Sequence, residues 1–304
     1  MQDPQPDFQP RPGLAEEIAP GLRRVLAPNP SPMTFRGTNT YLLGTRGIAV
    51  IDPGPDEPAH LQAILDALEP GQQITHILVT HAHLDHSPLA RDLARRTGAP
   101  VLGFGPAEAG RSAVTQKLAA EGLVGGGEGV DTRFEPDVTL ADGDTVAGDG
   151  WTVEALHTPG HMANHLSFAW GDVLFSGDLV MGWATSLVSP PDGDLTAFMA
   201  SLERLQERQW SLFHAGHGAP VTAPADRLET LLSHRRGRET AILESLAQAP
   251  ATARSLAERI YTEVPPALLP AATRNVLAHL IDLTSKSRVS PVGELSAEAV
   301  FRAI

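Results

Sequence analysis

The 304-residue chain has no cysteine. That single absence removes disulfides, thiolate nucleophiles and thiolate metal ligands. Long hydrophobic runs are missing as well. No stretch approaches the roughly 18–20 apolar residues that a membrane span requires. The N-terminal segment MQDPQPDFQPRPGLAEE is polar and Pro-rich, without the basic region and apolar core of a secretory signal. These absences lead to the expectation of a cytoplasmic protein with no membrane partner. A basic surplus is lacking too: the net charge is −13. Residues 226–304 hold 10 basic and 9 acidic side chains, against 13 and 27 in the rest. An acidic body repels nucleic acid over much of its surface and favours solubility.

What is present is ordinary for a globular protein, with 42% apolar and 19% charged residues. The length suits one large domain, or a large one with a small one. The spacing predicts three parts: a Pro-rich arm over 1–19, an α/β body over 20–225, and a helical tail over 226–304. In the body, GIAVIDPG, ITHILVT, WTVEALHT, HLSFAW, DVLFSGD and WSLFHAGHG read as strands bounded by turn residues. PAHLQAILDALEP and LTAFMASLERLQER carry apolar residues at helical spacing. SPLARDLARRTG reads as a helix with Pro88 in its first turn and Gly98 at its end. Strands and helices that interleave argue for covered sheets. GRSAVTQKLAAEGLVGGGEG reads as a helix followed by a Gly-rich, mobile loop. From Asp226 the pattern turns to a long helix, two more helices and a short terminal hairpin, which resembles a winged helix.

The chemistry concentrates in ILVTHAHLDHSPLA. His81, His83, Asp85 and His86 follow a buried apolar run within six residues. Imidazole and carboxylate suit Zn²⁺, Fe²⁺ or Mn²⁺. Side chains i and i+2 at a strand end point the same way, so His81 and His83 can grip one ion. The turn that follows lets Asp85 and His86 face a second. Three further candidates also follow apolar strands: His161 in TPGH, Asp178 in FSGD and His217 in AGHG, with glycines that permit sharp turns. His60, His76, His234 and His279 lack such settings and read as structural. Ser176 reads as no nucleophile.

The set His81-x-His83-x-Asp85-His86, His161, Asp178 and His217 resembles the metallo-β-lactamase superfamily over roughly residues 20–220. NPSPMTFRGTNTYLLG, FSGDLVMGWATSLVSPPDGDL and HRRGRETAIL, with the C-terminal helices, narrow the likeness to the branch of β-lactamase-like protein 2. That branch is described variously as metallo-hydrolases, hydroxyacylglutathione-hydrolase-like proteins or endoribonucleases. The resemblance implies an αββα sandwich of two mixed β-sheets with a winged-helix-like tail. It implies two divalent ions, zinc first, with iron or manganese as alternatives. His81, His83 and His161 would hold the first ion, Asp85, His86 and His217 the second, and Asp178 would bridge them. Class B β-lactamases usually carry cysteine at the Asp178 position or differ at the first histidine, so antibiotic hydrolysis is expected as a side activity at most.

The implied activity is hydrolysis of a small ester, thioester or lactone by a hydroxide shared between the ions, aimed by Asp85. His165 is expected to hydrogen-bond a substrate oxyanion, and Asp52 to orient a ligand histidine or to cap a turn. Arg36, Asn39 and Trp183, with Met33, Phe35, Met181, Thr185 and Ser186, are the expected substrate contacts, and Arg36 would hold a carboxylate or phosphate. The alternative is a ribonuclease or phosphodiesterase that grips single-stranded RNA with Arg235, Arg236, Arg238, Arg274, Lys286 and Arg288. The other reading of those cations is a solvated surface or a homodimer contact. A persulfide dioxygenase with one iron is the third reading.

Overall fold

A computed structural model of the chain describes residues 3–125 and 129–304. The first sheet has seven strands in chain order: β1 (Ala15–Ala19), β2 (Leu22–Leu26), β3 (Asn39–Leu43), β4 (Gly47–Ile51), β5 (Gln73–Leu78), β6 (Val101–Gly103) and β7 (Val138–Thr139). Pairing is antiparallel from β1 to β4 and parallel from β4 to β7. The second sheet has five strands: β8 (Thr145–Ala147), β9 (Thr152–His157), β10 (Leu166–Trp170), β11 (Val173–Gly177) and β12 (Leu212–Ala215). Only its β11–β12 pair is parallel.

Alternation along the strands decides which layer each residue enters. In β4, Ala49 and Ile51 join Tyr41, Leu43, Phe168 and Phe175 between the two sheets. Ile48 and Val50 face outward, against α1 (Pro58–Asp66) and α2 (Leu89–Thr97). Phe213 and Leu174 of the second sheet meet α4 (Leu195–Gln206) and the first half of α5 (Pro224–Gln248). The result is the expected sandwich of two mixed sheets between helical layers. α2 starts at Leu89 behind Pro88 and stops at Gly98, whose φ of 76° closes the helix. The helix expected before the Gly-rich stretch is α3 (Ala113–Ala120); residues 126–128 of that stretch lie outside the described residues.

The tail is a winged helix. α6 (Ala253–Ile260) and α7 (Leu269–Ser285) pack on a small sheet. That sheet is made of β13 (Ala251–Thr252), β14 (Val289–Pro291) and β15 (Val300–Ala303), with β15 in the middle. α5 belongs to both units. Its Leu228, Leu231 and Leu232 pack on the sandwich, while Ile242 and Leu246 enter the winged-helix core. The division drawn at 225/226 therefore falls inside one continuous helix, and β1 lies within the segment read as an arm. No helix among the described residues is long and apolar enough to cross a membrane.

A helix shared by two cores couples their unfolding. All four tryptophans (Trp151, Trp170, Trp183 and Trp210) precede α5. Leu246→Ala, a cavity in the winged-helix core, should cost about 2–5 kcal/mol. It should shift the urea midpoint read by tryptophan fluorescence. An unchanged fluorescence midpoint would show that the tail melts by itself.

Candidate metal centre

Each sequence-selected ligand lies just beyond the end of a strand. The His81–His86 motif follows β5, His161 follows β9, Asp178 follows β11 and His217 follows β12. β9 and β11 both pair antiparallel with β10, and β12 runs parallel to β11. All three therefore end at one edge, where the end of β5 also lies. The strand-end argument for His81 and His83 needs correction. β5 stops at Leu78, so the two residues sit in a loop, and they converge through different ring nitrogens.

The donors form two triangles. In the first, His81 Nε2 and His161 Nε2 each lie 3.0 Å from His83 Nδ1. In the second, His86 Nε2 and His217 Nε2 are 3.3 Å apart, and Asp85 Oδ2 lies 3.4 and 3.1 Å from them. Asp178 stands between: its Oδ1 is 3.5 Å from His86 Nε2, and its Oδ2 is 3.3 Å from His217 Nε2 and 3.7 Å from His161 Nε2. All seven side chains are buried. Tetrahedral ligands about 2.0–2.1 Å from a zinc ion stand roughly 3.3 Å from one another. The donor set thus fits a pair of divalent cations.

The outer nitrogens identify which lone pairs point inward. His81 Nδ1–H donates to Thr80 Oγ1 at 2.9 Å, and that hydroxyl donates to Asp52 Oδ2 at 2.7 Å. His86 Nδ1–H donates to the same carboxylate at 2.9 Å. His161 Nδ1–H donates to the Leu187 carbonyl at 2.7 Å, and His217 Nδ1–H to that of Gly37 at 3.1 Å. Nε2 of all four rings thereby faces the centre; in the first triangle, where burial keeps the imidazoles neutral, His81 and His161 present it unprotonated. At most one proton is left to separate the nitrogens of the first triangle, an arrangement that a cation relieves. Asp85 Oδ1 and Asp178 Oδ1 have no hydrogen-bond partner among the described residues although both are buried. A buried carboxylate oxygen without a partner is costly unless a cation answers it.

Electrostatics separates the triangles. Burial holds His83 down at about 3, with the neighbouring His161 adding to it, and burial also lowers His81 and His161. Burial pulls His86 and His217 the same way, but facing carboxylates outweigh it. Asp85, Asp178 and Asp52 raise His86 well above its ordinary value, and Asp178 with Asp85 raises His217 to about 10. For Asp85 and Asp178, burial is outweighed by facing imidazolium groups, and both carboxyls fall well below the usual range.

Two glycines make the crowding possible. A Cβ on Gly216 would lie 2.4 Å from Asp178 Oδ1, and one on Gly177 would lie 2.5 Å from His165 Nε2. His165 is buried; its Nε2 accepts the Asp178 backbone N–H at 3.2 Å and its Nδ1–H donates to Thr158 Oγ1 at 2.9 Å. No ring N–H is left for a substrate oxyanion, so this geometry supports a positioning role instead.

The expected substrate wall also differs. Asn39 is buried, and its amide donates to the carbonyls of Ala215 and Gly218 at 3.0 and 2.9 Å, clamping the turn that carries His217. It faces no pocket. Arg36 donates to Asp3 Oδ2 at 2.6 Å and to the Gln5 carbonyl at 3.2 Å, so the chain's own carboxylate fills the place assigned to a substrate anion. Trp183 is half-buried and stacks on Phe35, with ring centroids 5.0 Å apart. Sequence reasoning missed Thr80, Thr158 and the Leu187 carbonyl. Thr80 could have been found from its place beside the motif, whereas a backbone carbonyl leaves no trace in sequence.

Asp52 serves two ligand histidines from a left-handed backbone (φ 52°), and its Oδ1 accepts the Thr80 N–H at 2.7 Å. Asp52→Asn should weaken Zn²⁺ binding about 10–100-fold, measured by competition with a chelator. A proton that His86 or His217 carries must leave when a cation binds there. At pH 7 the second triangle should release protons on loading and the first almost none. Affinity at the second triangle should therefore rise with pH between 6 and 9 while the first stays flat. Calorimetry in buffers of different ionisation enthalpy reads both.

Comparison with known proteins places this geometry. The sequence pattern of the metallo-beta-lactamase superfamily matches residues 33–232, and that of the beta-lactamase associated winged helix domain matches 252–297. A "Beta-lactamase-like protein 2 homolog" of Drosophila melanogaster is 32% identical over 278 residues, covering 88% of each chain. An "Atrochrysone carboxyl ACP thioesterase" of Passalora fulva is 31% identical over 242 residues, covering 76% of this chain and 63% of that one. A beta-lactamase domain protein of Burkholderia ambifaria has the same fold, with a TM-score of 0.81 at 23% identity over 99% of this chain and 96% of that one. With a matched sandwich, a matched winged helix and a relative that spans both, the chain belongs to the metallo-beta-lactamase superfamily.

Proposed function

We propose that the protein is a dinuclear metal-dependent hydrolase of a small ester, thioester or lactone. The observation that carries this reading is the pair of donor triangles with Asp178 within reach of both. Members of the superfamily are mostly hydrolases that bind divalent metals. The Passalora fulva relative, named as an ACP thioesterase, supports a thioester.

His81, His83 and His161 would hold one ion, Asp85, His86 and His217 the other, with Asp178 between them. Zinc suits this set of nitrogen and oxygen donors, and iron or manganese would be accepted by the same atoms. When bound, such ions would lower the pKa of a water from about 15.7 to roughly 7 and would polarise the scissile carbonyl. The protein's own groups do the rest. Asp85 presents Oδ2 to the second triangle and keeps Oδ1 free of protein partners, which leaves it able to accept a hydrogen bond from the attacking water. Asp52 and the Leu187 and Gly37 carbonyls keep the imidazoles from rotating. His165 holds the Asp178 backbone, and through it the central carboxylate.

The RNA reading depends on a basic face in the tail, and most of that charge is used internally. Arg235 is buried, Arg236 pairs with Glu203 at 3.0 Å, Arg238 lies over the Tyr261 ring, Arg274 donates to the Pro190 carbonyl, and Lys286 pairs with Asp282 at 2.7 Å. This favours a small-molecule substrate.

Metal analysis of the pure protein, followed by thioester, lactone, phosphodiester and RNA substrates, tests the proposal. Two ions per chain with thioesterase, esterase or lactonase turnover is the expected result. One iron with oxygen consumption, or cleavage confined to RNA, overturns it. His83→Ala should lose metal and activity together while the far-ultraviolet circular dichroism stays native. Asp178→Ala should lower the metal stoichiometry, because the shared carboxylate is gone.

A further inference from the structure

The HRRGRETAIL stretch of α5 holds a side chain that the reaction does not use. Arg235 is 1% exposed, and no carboxylate among the described residues pairs with its buried charge. Burial pulls its pKa down to about 10. An unpaired buried cation is expensive, so its contacts show what it stabilises. The guanidinium rests over the Phe198 ring, 5.0 Å from its centroid, and donates to two oxygens. One is the Ser186 carbonyl; the other is Asn275 Oδ1 at 2.9 Å. Asn275 lies on α7 of the winged helix, and the same Oδ1 accepts the Val188 N–H at 3.1 Å.

Ser186 and Val188 flank Leu187, whose carbonyl accepts the proton of His161 Nδ1 at 2.7 Å. Both peptide neighbours of that carbonyl are thus tied to one side-chain pair. The wider segment is held in the same manner. Arg227 of α5 donates to the carbonyls of Met181 and Ala184 at 2.7 and 2.6 Å, and Arg274 of α7 donates to that of Pro190 at 3.2 Å. We infer that Arg235 and Asn275 are positioning residues for the first metal triangle. They fix the Ser186–Val188 backbone, and its central carbonyl fixes the ring of His161, so the winged helix acts as a brace of the metal centre. This rests on the dinuclear reading above.

Asn275→Leu removes the shared acceptor, and Asn275→Asp keeps it. The full-length wild type and both variants are titrated with Zn²⁺ against a competing chelator. The ring nitrogens of the metal-free proteins are followed by ¹⁵N NMR. Outer partners of metal ligands influence affinity about 10–100-fold. Asn275→Leu should weaken one of the two sites about 10-fold and leave the other unchanged, with loss of the fixed His161 Nδ1–H signal. Asn275→Asp should bind like the wild type. Unchanged affinities and an unchanged His161 signal in Asn275→Leu would overturn the inference, as would equal loss in both variants. If Asn275→Leu does not fold, the wild type decides, because a His161 ring protonated on Nε2 contradicts the brace. A wild type that binds fewer than two Zn²⁺ overturns the proposed function instead, and the His161 tautomer still decides this inference.

Discussion

The structure is organised around a local conflict: five imidazoles and two carboxylates packed with their lone pairs turned toward one another. The Nε2 atoms of His81 and His161, turned inward as acceptors by their outer bonds, both lie 3.0 Å from His83 Nδ1, where a single proton can serve only one of them and a cation serves all three. The fold carries the cost of that arrangement. Parallel strands deliver the loops to one edge, and glycines at 177 and 216 remove side chains that would collide. Asp52 accepts a left-handed backbone so that one carboxylate can steady Thr80 and His86 together. A site built this way is pre-formed in the polypeptide, with little reorganisation left for the moment a cation arrives.

The winged helix takes on a different character in this light. A tail of this kind suggests nucleic-acid contact, yet Arg235 faces inward and Arg236 and Lys286 pair with carboxylates. Arginines 227, 235 and 274 cap carbonyls of the segment between Asp178 and Asp194, a stretch with almost no regular structure of its own. A loop of this length beside a metal centre needs external hydrogen-bond donors, since buried backbone oxygens must be satisfied. The helix α5, with one half in each core, supplies two of the three.

Much of this was legible in the sequence, for physical reasons that differ by residue. The ligand motif stands out because imidazole and carboxylate rarely gather behind an apolar strand without a cation. The strands GIAVI and VLFSG were readable because their residues are apolar on both faces and bounded by turn formers. β1 escaped notice because AEEIA is mostly exposed and has adjacent glutamates that break any alternation, and β7 because two residues carry no period. Asn39 and Arg36 have contacts that local polarity does not reveal: one side chain clamps a turn and the other pairs with Asp3, 33 positions away. Partners so far apart in the chain leave no local pattern. The Leu187 carbonyl belongs to every residue type alike and was beyond sequence reasoning.

His83 meets its neighbours through Nδ1, while His81, His86, His161 and His217 use Nε2. Nδ1 sits one bond from the ring's attachment point and Nε2 on its far side, so the two modes differ in reach. Position 83 is therefore within the span of a short side chain, and in protein evolution or redesign an aspartate could substitute there. At the four Nε2 positions the full length of an imidazole is needed, and a shorter replacement would stop short of the centre. Tolerance to ligand exchange is thus written unevenly around the cage, by the choice of a single ring atom.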